Sequence, residues 1–359
     1  IAVDKIGKLF SVLRVGTDLL INSFFSNKGE VYYTLPFIGT DITKHPIILE
    51  ADIIHIHWIN RGFLNLKSFQ KIINLNKPVV FTLHDSWAFT GGCHMTYDCE
   101  KYQNACFKCP IASKVDFSSF FQKKKKYIFK NKLVSFTAPS EWMSQKAKSS
   151  NILENKNIVT IANCVDTKVF RPINSLYSRD VFNLPKDKRI ILFNITNDPR
   201  KGGAFIRDII LDMSFNRDIL FVGFGASDIE LTIFKGLPFL ALGRINDQYS
   251  MAALYNACDL MIAPASEEPF GQTYIEAMAC GTPCVAFNHS GPKDIIEHKV
   301  NGYLAKYNDK ADLILGIEFC LLNRDWLSEK AIQKVKQSFS SIAVSRILVE
   351  FYETLLSSS

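Results

Sequence analysis

Two glutamates eight residues apart, Glu268 and Glu276, lie in the most chemically suggestive stretch of the sequence, residues 264–287, PASEEPFGQTYIEAMACGTPCVAF. Pro264 to Gly271 is turn chemistry directly after a strand candidate, and Gln272 to Ala279 reads as helix. Glu268 therefore belongs to a loop and Glu276 to a helix interior. Gly271 lets a ligand approach the backbone closely, and the free N–H groups at a helix start, with the positive end of the dipole, bind anions. A diphosphate fits there. Carboxylates on either side can accept hydrogen bonds from hydroxyls, one toward a sugar and one toward a ribose. An acidic pair alone is weak evidence. The specificity comes from the ordered string, which continues through Cys280-Gly281-Thr282-Pro283 into another strand candidate.

A second chemical cluster is made of thiols. Cys93, Cys99, Cys106 and Cys109 fall beside His94, and only Cys106-x2-Cys109 has common zinc-site spacing, Cys93-x5-Cys99 being looser. Three readings stay open: a structural zinc held by all four thiolates, which would brace the loop after His84; reduced packing cysteines; or redox-sensitive disulfides. Cys164, Cys258, Cys280, Cys284 and Cys320 sit in apolar contexts and read as core thiols.

The elements that must position these residues form two series of short apolar runs alternating with helical periodicity, the pattern of parallel α/β sheets. The first has strand candidates at 52–58, 79–84, 133–138 and 158–162. The second has them at 189–195, 219–223, 239–242, 259–263, 283–287 and 302–305. Asn, Asp and X-Pro steps mark a linker near 166–185. The expected division is an N-terminal Rossmann-like domain over 1–165, a C-terminal one over 166–338, and a closing helix over 339–359 that crosses back to the first domain. The first domain lacks the leading strand and Gly-rich turn of a doubly wound fold. Residues 1–26 read instead as an amphipathic helix with Ile6, Phe10, Leu13, Leu19, Leu20 and Phe24 on its apolar face. The chain opens on Ile1 rather than Met. Either it starts there naturally, so that donor binding survives while transfer fails, or it is truncated and upstream residues supply the missing strand and turn.

The chain has 359 residues, 47% hydrophobic and 21% charged, enough for two packed cores. No apolar run reaches the ~20 residues of a membrane span, and no signal peptide is recognised, so the cytoplasm is the expected compartment. The net charge of +7 permits acidic partners. Part of it is Lys123 to Lys126, close to Phe117, Phe120, Phe121, Tyr127 and Phe129. This segment reads as a solvated helix face, with contact to an anionic membrane as the sharper alternative. No nucleic-acid motif accompanies it.

The 264–287 segment resembles the E-x7-E signature of family four retaining, nucleotide-sugar-dependent glycosyltransferases. DIIHIHW at 52–58, TLHDSWAFTGGCH at 82–94, TAPSEWM at 137–143, DPRKGG at 198–203 and GPKDIIEHKVNGYLA at 291–305 match further landmarks in order. The resemblance implies a GT-B fold, α/β with two Rossmann-like doubly wound domains facing across a cleft, the C-terminal one binding the donor and the N-terminal one the acceptor. It implies that Glu268 binds donor-sugar hydroxyls, Glu276 the nucleotide ribose, and Lys201 the diphosphate leaving group. The backbone around Phe270, Gly271, Gln272 and Thr273 would contact phosphate and sugar, and Gly225 would lie in a nucleotide-side loop. The family commonly has Arg five positions before the Lys. Here that position is Thr196, and Arg200 is the candidate to compensate, a solvated loop Arg being the alternative. His84, at a predicted strand end, would face the donor sugar, with Asp85 toward an acceptor hydroxyl; His55 and His57 read as structural.

The implied reaction is transfer, with retention, from a nucleotide diphosphate sugar to a hydroxyl of a growing surface glycan on a lipid carrier at the inner membrane face. No cofactor is expected for catalysis, in keeping with the absence of an Asp-x-Asp motif. A sugar-nucleotide epimerase or phosphorylase of the same fold, and a non-catalytic nucleotide-sugar-binding protein, are the alternatives.

Overall fold

The computed structural model describes residues 5–27, 33–213, 215–225 and 230–357. The chain divides into two units, Ile1–Ile161 with Leu348–Ser359, and Ala162–Ile347. The closing helix, Ser341–Ser357, starts in the second and ends in the first. No helix among the described residues is long and apolar enough to cross a membrane.

In the first unit β1 (Ile54–Ile56), β2 (Val79–Thr82), β3 (Val134–Ala138) and β4 (Ile158–Thr160) pair in parallel in the order 1-2-3-4. Each lies within its expected run. Val79 to Thr82 are all buried, as a central parallel strand covered on both faces requires. Phe69, Phe129 and Phe136 pack edge to face beside it, with ring centroids 5.6 and 5.2 Å apart. Among the described residues no strand precedes β1 in this sheet.

Helix Lys5–Phe25 forms where expected, but its burial is the reverse of the expectation. Phe10, Leu13, Leu19, Leu20 and Phe24 are exposed, whereas Asp18 and Asn22 are buried. The polar face is held inward by specific bonds: Asn22 accepts from the Leu35 N–H at 2.6 Å, and Arg14 donates to Thr40. Residues 1–4 and the Ile6 side chain lie outside the described residues.

The lysine run is also corrected. On helix Ser118–Phe129, Lys123 and Lys124 are exposed and Lys126 is half-buried, pairing with Glu154 at 3.4 Å, but Lys125 is wholly buried. A solvated face thus describes only part of it.

The second unit holds β5 (Arg189–Asn194), β6 (Ile219–Phe224), β7 (Leu240–Ala241), β8 (Leu260–Ile262), β9 (Cys284–Phe287) and β10 (Gly302–Ala305), all parallel, in the order 10-9-8-5-6-7. Counted from β5, this is the mirror-read 3-2-1-4-5-6 order of a Rossmann sheet. Period two explains its two cores: Ile190 and Leu192 of β5 pack on one face, Ile191 and Phe193 on the other. The strand order reverses between β5 and β8, so the loops leaving those two neighbours diverge and open a crevice at their carboxyl ends.

Candidate functional site

The crevice of the second unit is where Lys201 and Glu268 meet. After β5 the chain makes a short 3-10 turn, Pro199–Lys201, capped by the Asp198 carboxylate, and leaves it through Gly202 at φ 75°. A Cβ on Gly202 would lie 2.1 Å from the Pro264 carbonyl oxygen, so only glycine lets this turn press against the loop after β8. Arg200 fastens the two loops. Its guanidinium bonds Asp198 and the Glu267 carbonyl (2.9 Å), and its own carbonyl accepts from the Ser266 N–H at 2.7 Å. The result is a direct ion pair between Lys201 Nζ and Glu268 Oε2, both half-buried. Arg200 is thus not a solvated loop residue; its guanidinium clamps the loops that set Lys201 against Glu268.

A third loop, after β9, fixes Glu268 from the other side. The Ser290 hydroxyl accepts from the Glu268 N–H at 3.1 Å, and the Gly291 N–H donates to the Glu268 carbonyl at 2.8 Å. A Cβ at Gly291 would come within 2.6 Å of Phe270 Cα. Phe270 is buried against Phe339, and Gly271, at φ 110°, leads into helix Gln272–Ala279. Gln272 donates to the Cys164 carbonyl at 3.0 Å, and Thr273 is half-buried at the helix start. Glu276, one turn in, accepts from the Tyr255 hydroxyl at 3.1 Å. Burial raises its carboxyl above the usual range, against the hydrogen bonds from Tyr255 and Gln272. Gly225, at φ 95°, ends β6 and donates to the Gly243 carbonyl; residues 226–229 of the loop that it opens lie outside the described residues. The unit therefore gathers a cation, two carboxylates of unequal polarity and a glycine-led helix start at one sheet end. That set can neutralise a phosphate and accept hydrogen bonds from sugar hydroxyls.

In the first unit His84 follows β2 and its Nε2 lies 2.9 Å from His57 Nδ1, the two rings stacked. His57 stacks in turn on His55, which bonds Thr82 through Nε2 at 2.7 Å and the Tyr352 hydroxyl through Nδ1. Burial, with His57 beside it, holds His84 down to about 4, against the pull of the Asp85 carboxylate; burial likewise holds His55 at about 4. Both imidazoles are neutral at neutral pH. The Asp85 carboxylate bonds His94 Nδ1 at 2.6 Å and the Trp87 N–H at 2.8 Å. Its first partners are thus the walls of its own loop.

The four clustered cysteines line one cavity together with Thr90, Tyr102 and Phe107, and each is a free thiol. Cys93 donates to Cys109, and this bond lowers the Cys109 thiol, helped by the Ile111 and Ala112 N–H groups. As the side chains stand, no group of three or more His, Cys, Asp or Glu among the described residues is set to hold a metal ion.

The sequence gives no role to Tyr255 or Ser290 and no sign of the bond from His57 to His84, and it places Gly291 only as the first residue of the landmark at 291–305. The signal for Ser290-Gly291 was a turn at a strand end; for His57, alternation with His55 on β1, which placed it on a face but gave no partner.

The family model described as glycosyl transferases group 1 matches residues 239–338. The second unit carries a glycosyl transferases group 1 domain. Glu268, Glu276, Ser290 and Gly291 lie inside the matched part, and Lys201 reaches it from the preceding loop. Among curated relatives, the Escherichia coli (strain K12) protein named as a colanic acid biosynthesis glycosyl transferase, WcaC, is 25% identical over 300 residues, 78% of this chain and 68% of that one. Among solved structures, a sucrose-phosphate synthase from Thermosynechococcus elongatus aligns with a TM-score of 0.68 at 20% identity, covering 98% of this chain and 94% of its own. Anabaena Alr3699/HepE, solved in complex with UDP-glucose, aligns with a TM-score of 0.63 at 18% identity, covering 85% and 79%. At these identities the structural likeness speaks for the fold. The glycosyltransferase domain and its companion are the two parallel, Rossmann-like units of the GT-B architecture.

Proposed function

We propose that the protein is a retaining glycosyltransferase that takes a sugar from a nucleoside diphosphate sugar and passes it to a hydroxyl of a glycan on a lipid carrier. The observation that carries this reading is the Lys201–Glu268 ion pair at the strand-order reversal, beside the Gly271-led helix start. Each partner has a better one in a donor. Lys201 turns to the leaving phosphate, where charge develops as the anomeric C–O bond breaks. Glu268, released, accepts hydrogen bonds from sugar hydroxyls, and Glu276 holds the ribose with Tyr255 as its anchor. The backbone from Phe270 to Thr273 receives the diphosphate. The acceptor oxygen attacks the face that the phosphate leaves, and its proton passes to the departing phosphate oxygen, so that no enzyme nucleophile is needed and the configuration is kept. His84, a neutral imidazole hydrogen-bonded through Nε2 to His57, is assigned to the sugar. Lys123, Lys124, Phe120 and Tyr127 remain exposed for contact with an anionic membrane surface.

The test is calorimetric titration of the full chain with a panel of nucleoside diphosphates and nucleotide sugars, repeated with Lys201→Ala, Glu268→Ala and Glu276→Ala. One base is expected to bind selectively. Lys201→Ala and Glu276→Ala should each weaken the nucleoside diphosphate roughly tenfold or more, since a lost charge-assisted bond amounts to about 1.5–3 kcal/mol. Glu268→Ala should leave that affinity within about threefold while transfer falls at least a hundredfold, the ~2.7 kcal/mol or more of a lost transition-state contact. Binding to no member of the panel, or interconversion of the sugar nucleotide without an acceptor, would overturn the reading.

A further inference from the structure

The loop from Cys93 to Cys109 contains no strand and no α-helix, only a 3-10 turn at Lys101–Gln103, yet it delivers four thiols to one cavity. Three further features surround those sulfurs. Backbone N–H groups bond two of them, that of Gly91 the Cys106 thiol and that of Ile111 the Cys109 thiol, while the Ala112 N–H donates to the Cys109 carbonyl at 3.2 Å. Such donors stabilise sulfur anions and recur around metal-bound thiolates. The Tyr33 hydroxyl, on a residue only 4% exposed, has no hydrogen-bond partner among the described residues, and its electrostatic neighbours are Cys109, Asp116, Cys93 and Cys106. Lys125 is 0% exposed; its ammonium donates to the Trp87 and Thr90 carbonyls at 2.5 and 3.1 Å, and its charged neighbours are Cys106, Cys93 and Asp85. A buried ammonium is costly without counter-charge; Asp85 supplies part of it, and thiolates in the adjoining cavity would add to it.

We propose that Cys93, Cys99, Cys106 and Cys109 bind one zinc ion as a closed tetrathiolate site, with Lys125 as its buried counter-cation and Tyr33 as an outer hydrogen-bond donor. Four thiolates on a divalent ion leave two negative charges. Lys125 offsets one, and the N–H and O–H donors spread the other. Closure requires the thiols to turn inward from their present positions to Zn–S distances of about 2.3 Å. Binding is coupled to loss of the thiol protons, which leave to solvent. The site is structural, because all four positions are filled by protein. It reaches the first unit's chemical residues through Lys125, which has Asp85 as a neighbour, and through Cys93, which adjoins His94, whose ring holds Asp85 and whose carbonyl accepts from the Ser86 N–H at 2.8 Å. This inference stands independently of the assigned sugar transfer.

The decisive measurement is elemental analysis of the full chain purified without chelator, paired with thiol titration of the native protein. About one zinc per chain is expected, with the four cluster thiols unreactive until zinc is stripped by a thiol-reactive mercurial. Cys106→Ser and Cys109→Ser should each lose the zinc. If either fails to fold, cobalt(II) added to the wild-type chain after zinc removal gives the second readout, with the ligand-field spectrum of tetrahedral thiolate coordination expected. Lys125→Met should weaken zinc retention against a competing chelator at least tenfold. Absence of zinc with four readily titrated thiols would overturn the proposal, as would thiols lost in pairs to disulfides, iron with sulfide in place of zinc, or zinc retained in both serine variants.

Discussion

Histidine 84 illustrates how a residue's chemistry is set by what packs on it. Its ring lies under His57, which lies on His55, and burial lowers all three below the ordinary imidazole range. The folded state therefore binds fewer protons than the unfolded chain between pH 6.5 and about 4. For a base lowered in this way, stability is fully present above pH 6.5 and is lost as pH falls toward the folded value. For His84 alone, a shift from 6.5 to about 4 amounts to at most about 3.4 kcal/mol. A thermal melt across pH 7 to 4 should show that loss, and His84→Gln should flatten it. Imidazole resonances of His84 followed by NMR should still be those of the neutral ring at pH 5.5. A midpoint near 6.5 would mean that the stack does not hold in solution, and with it the neutral ring assigned to His84.

At the scale of elements, three loops after β5, β8 and β9 converge on Glu268, and glycines set how closely they approach. Gly291 is the sharpest case. Its backbone is ordinary, with φ −58°, so the demand for glycine comes from space: a Cβ there meets Phe270 Cα at 2.6 Å and the Glu268 carbonyl at 2.7 Å. Both obstacles are backbone and cannot rotate away. Gly291→Ala should push the Glu268 loop outward, costing about 1–3 kcal/mol of stability and reducing transfer more than nucleoside diphosphate affinity. Unchanged transfer with an unchanged melting temperature would refute the close approach. The same elements show what could be read in advance. All ten strands fall within short apolar runs; where burial is complete on both faces, as in β2, β8 and β9, it imposes that composition directly, whereas the edge strand β7 is exposed at both residues. The roles of Lys201, Glu268 and Glu276 rested on an ordered string of motifs, and the chain's own geometry joins the first two. Lys125 and helix Lys5–Phe25 went the other way. Four successive lysines give no local sign that one points inward, and a stripe of Phe and Leu gives none that Asn22 and Arg14 decide which face is held. Both outcomes depend on partners distant in sequence, the Trp87 carbonyl for Lys125 and the Leu35 N–H for Asn22.

Over the whole molecule, the division of labour follows from where each core closes. Every residue assigned to the nucleotide, from Lys201 to Glu276, belongs to the unit Ala162–Ile347, and its ion pair, clamp and helix start are bonded within that unit. The histidine stack and the cysteine cavity belong to the other. The backbone passes between the units twice, after Ile161 and after Ile347, and the second passage carries helix Ser341–Ser357 far enough for Tyr352 to bond His55. That bond gives a test of the separation. Tyr352→Phe removes one partly exposed hydroxyl and leaves the ring, so the loss of stability should not exceed about 1 kcal/mol. His55 keeps its bond to Thr82, so the stack should be loosened rather than dismantled. Nucleoside diphosphate affinity of the full chain should stay within about twofold, a difference of ~0.4 kcal/mol, well below the 1.4 kcal/mol of a tenfold change. On the role proposed for His84, the rate of transfer should fall. A tenfold loss of nucleotide affinity from this change in the first unit would instead mean that the two cores are coupled through the closing helix, and that donor binding is a property of the full chain.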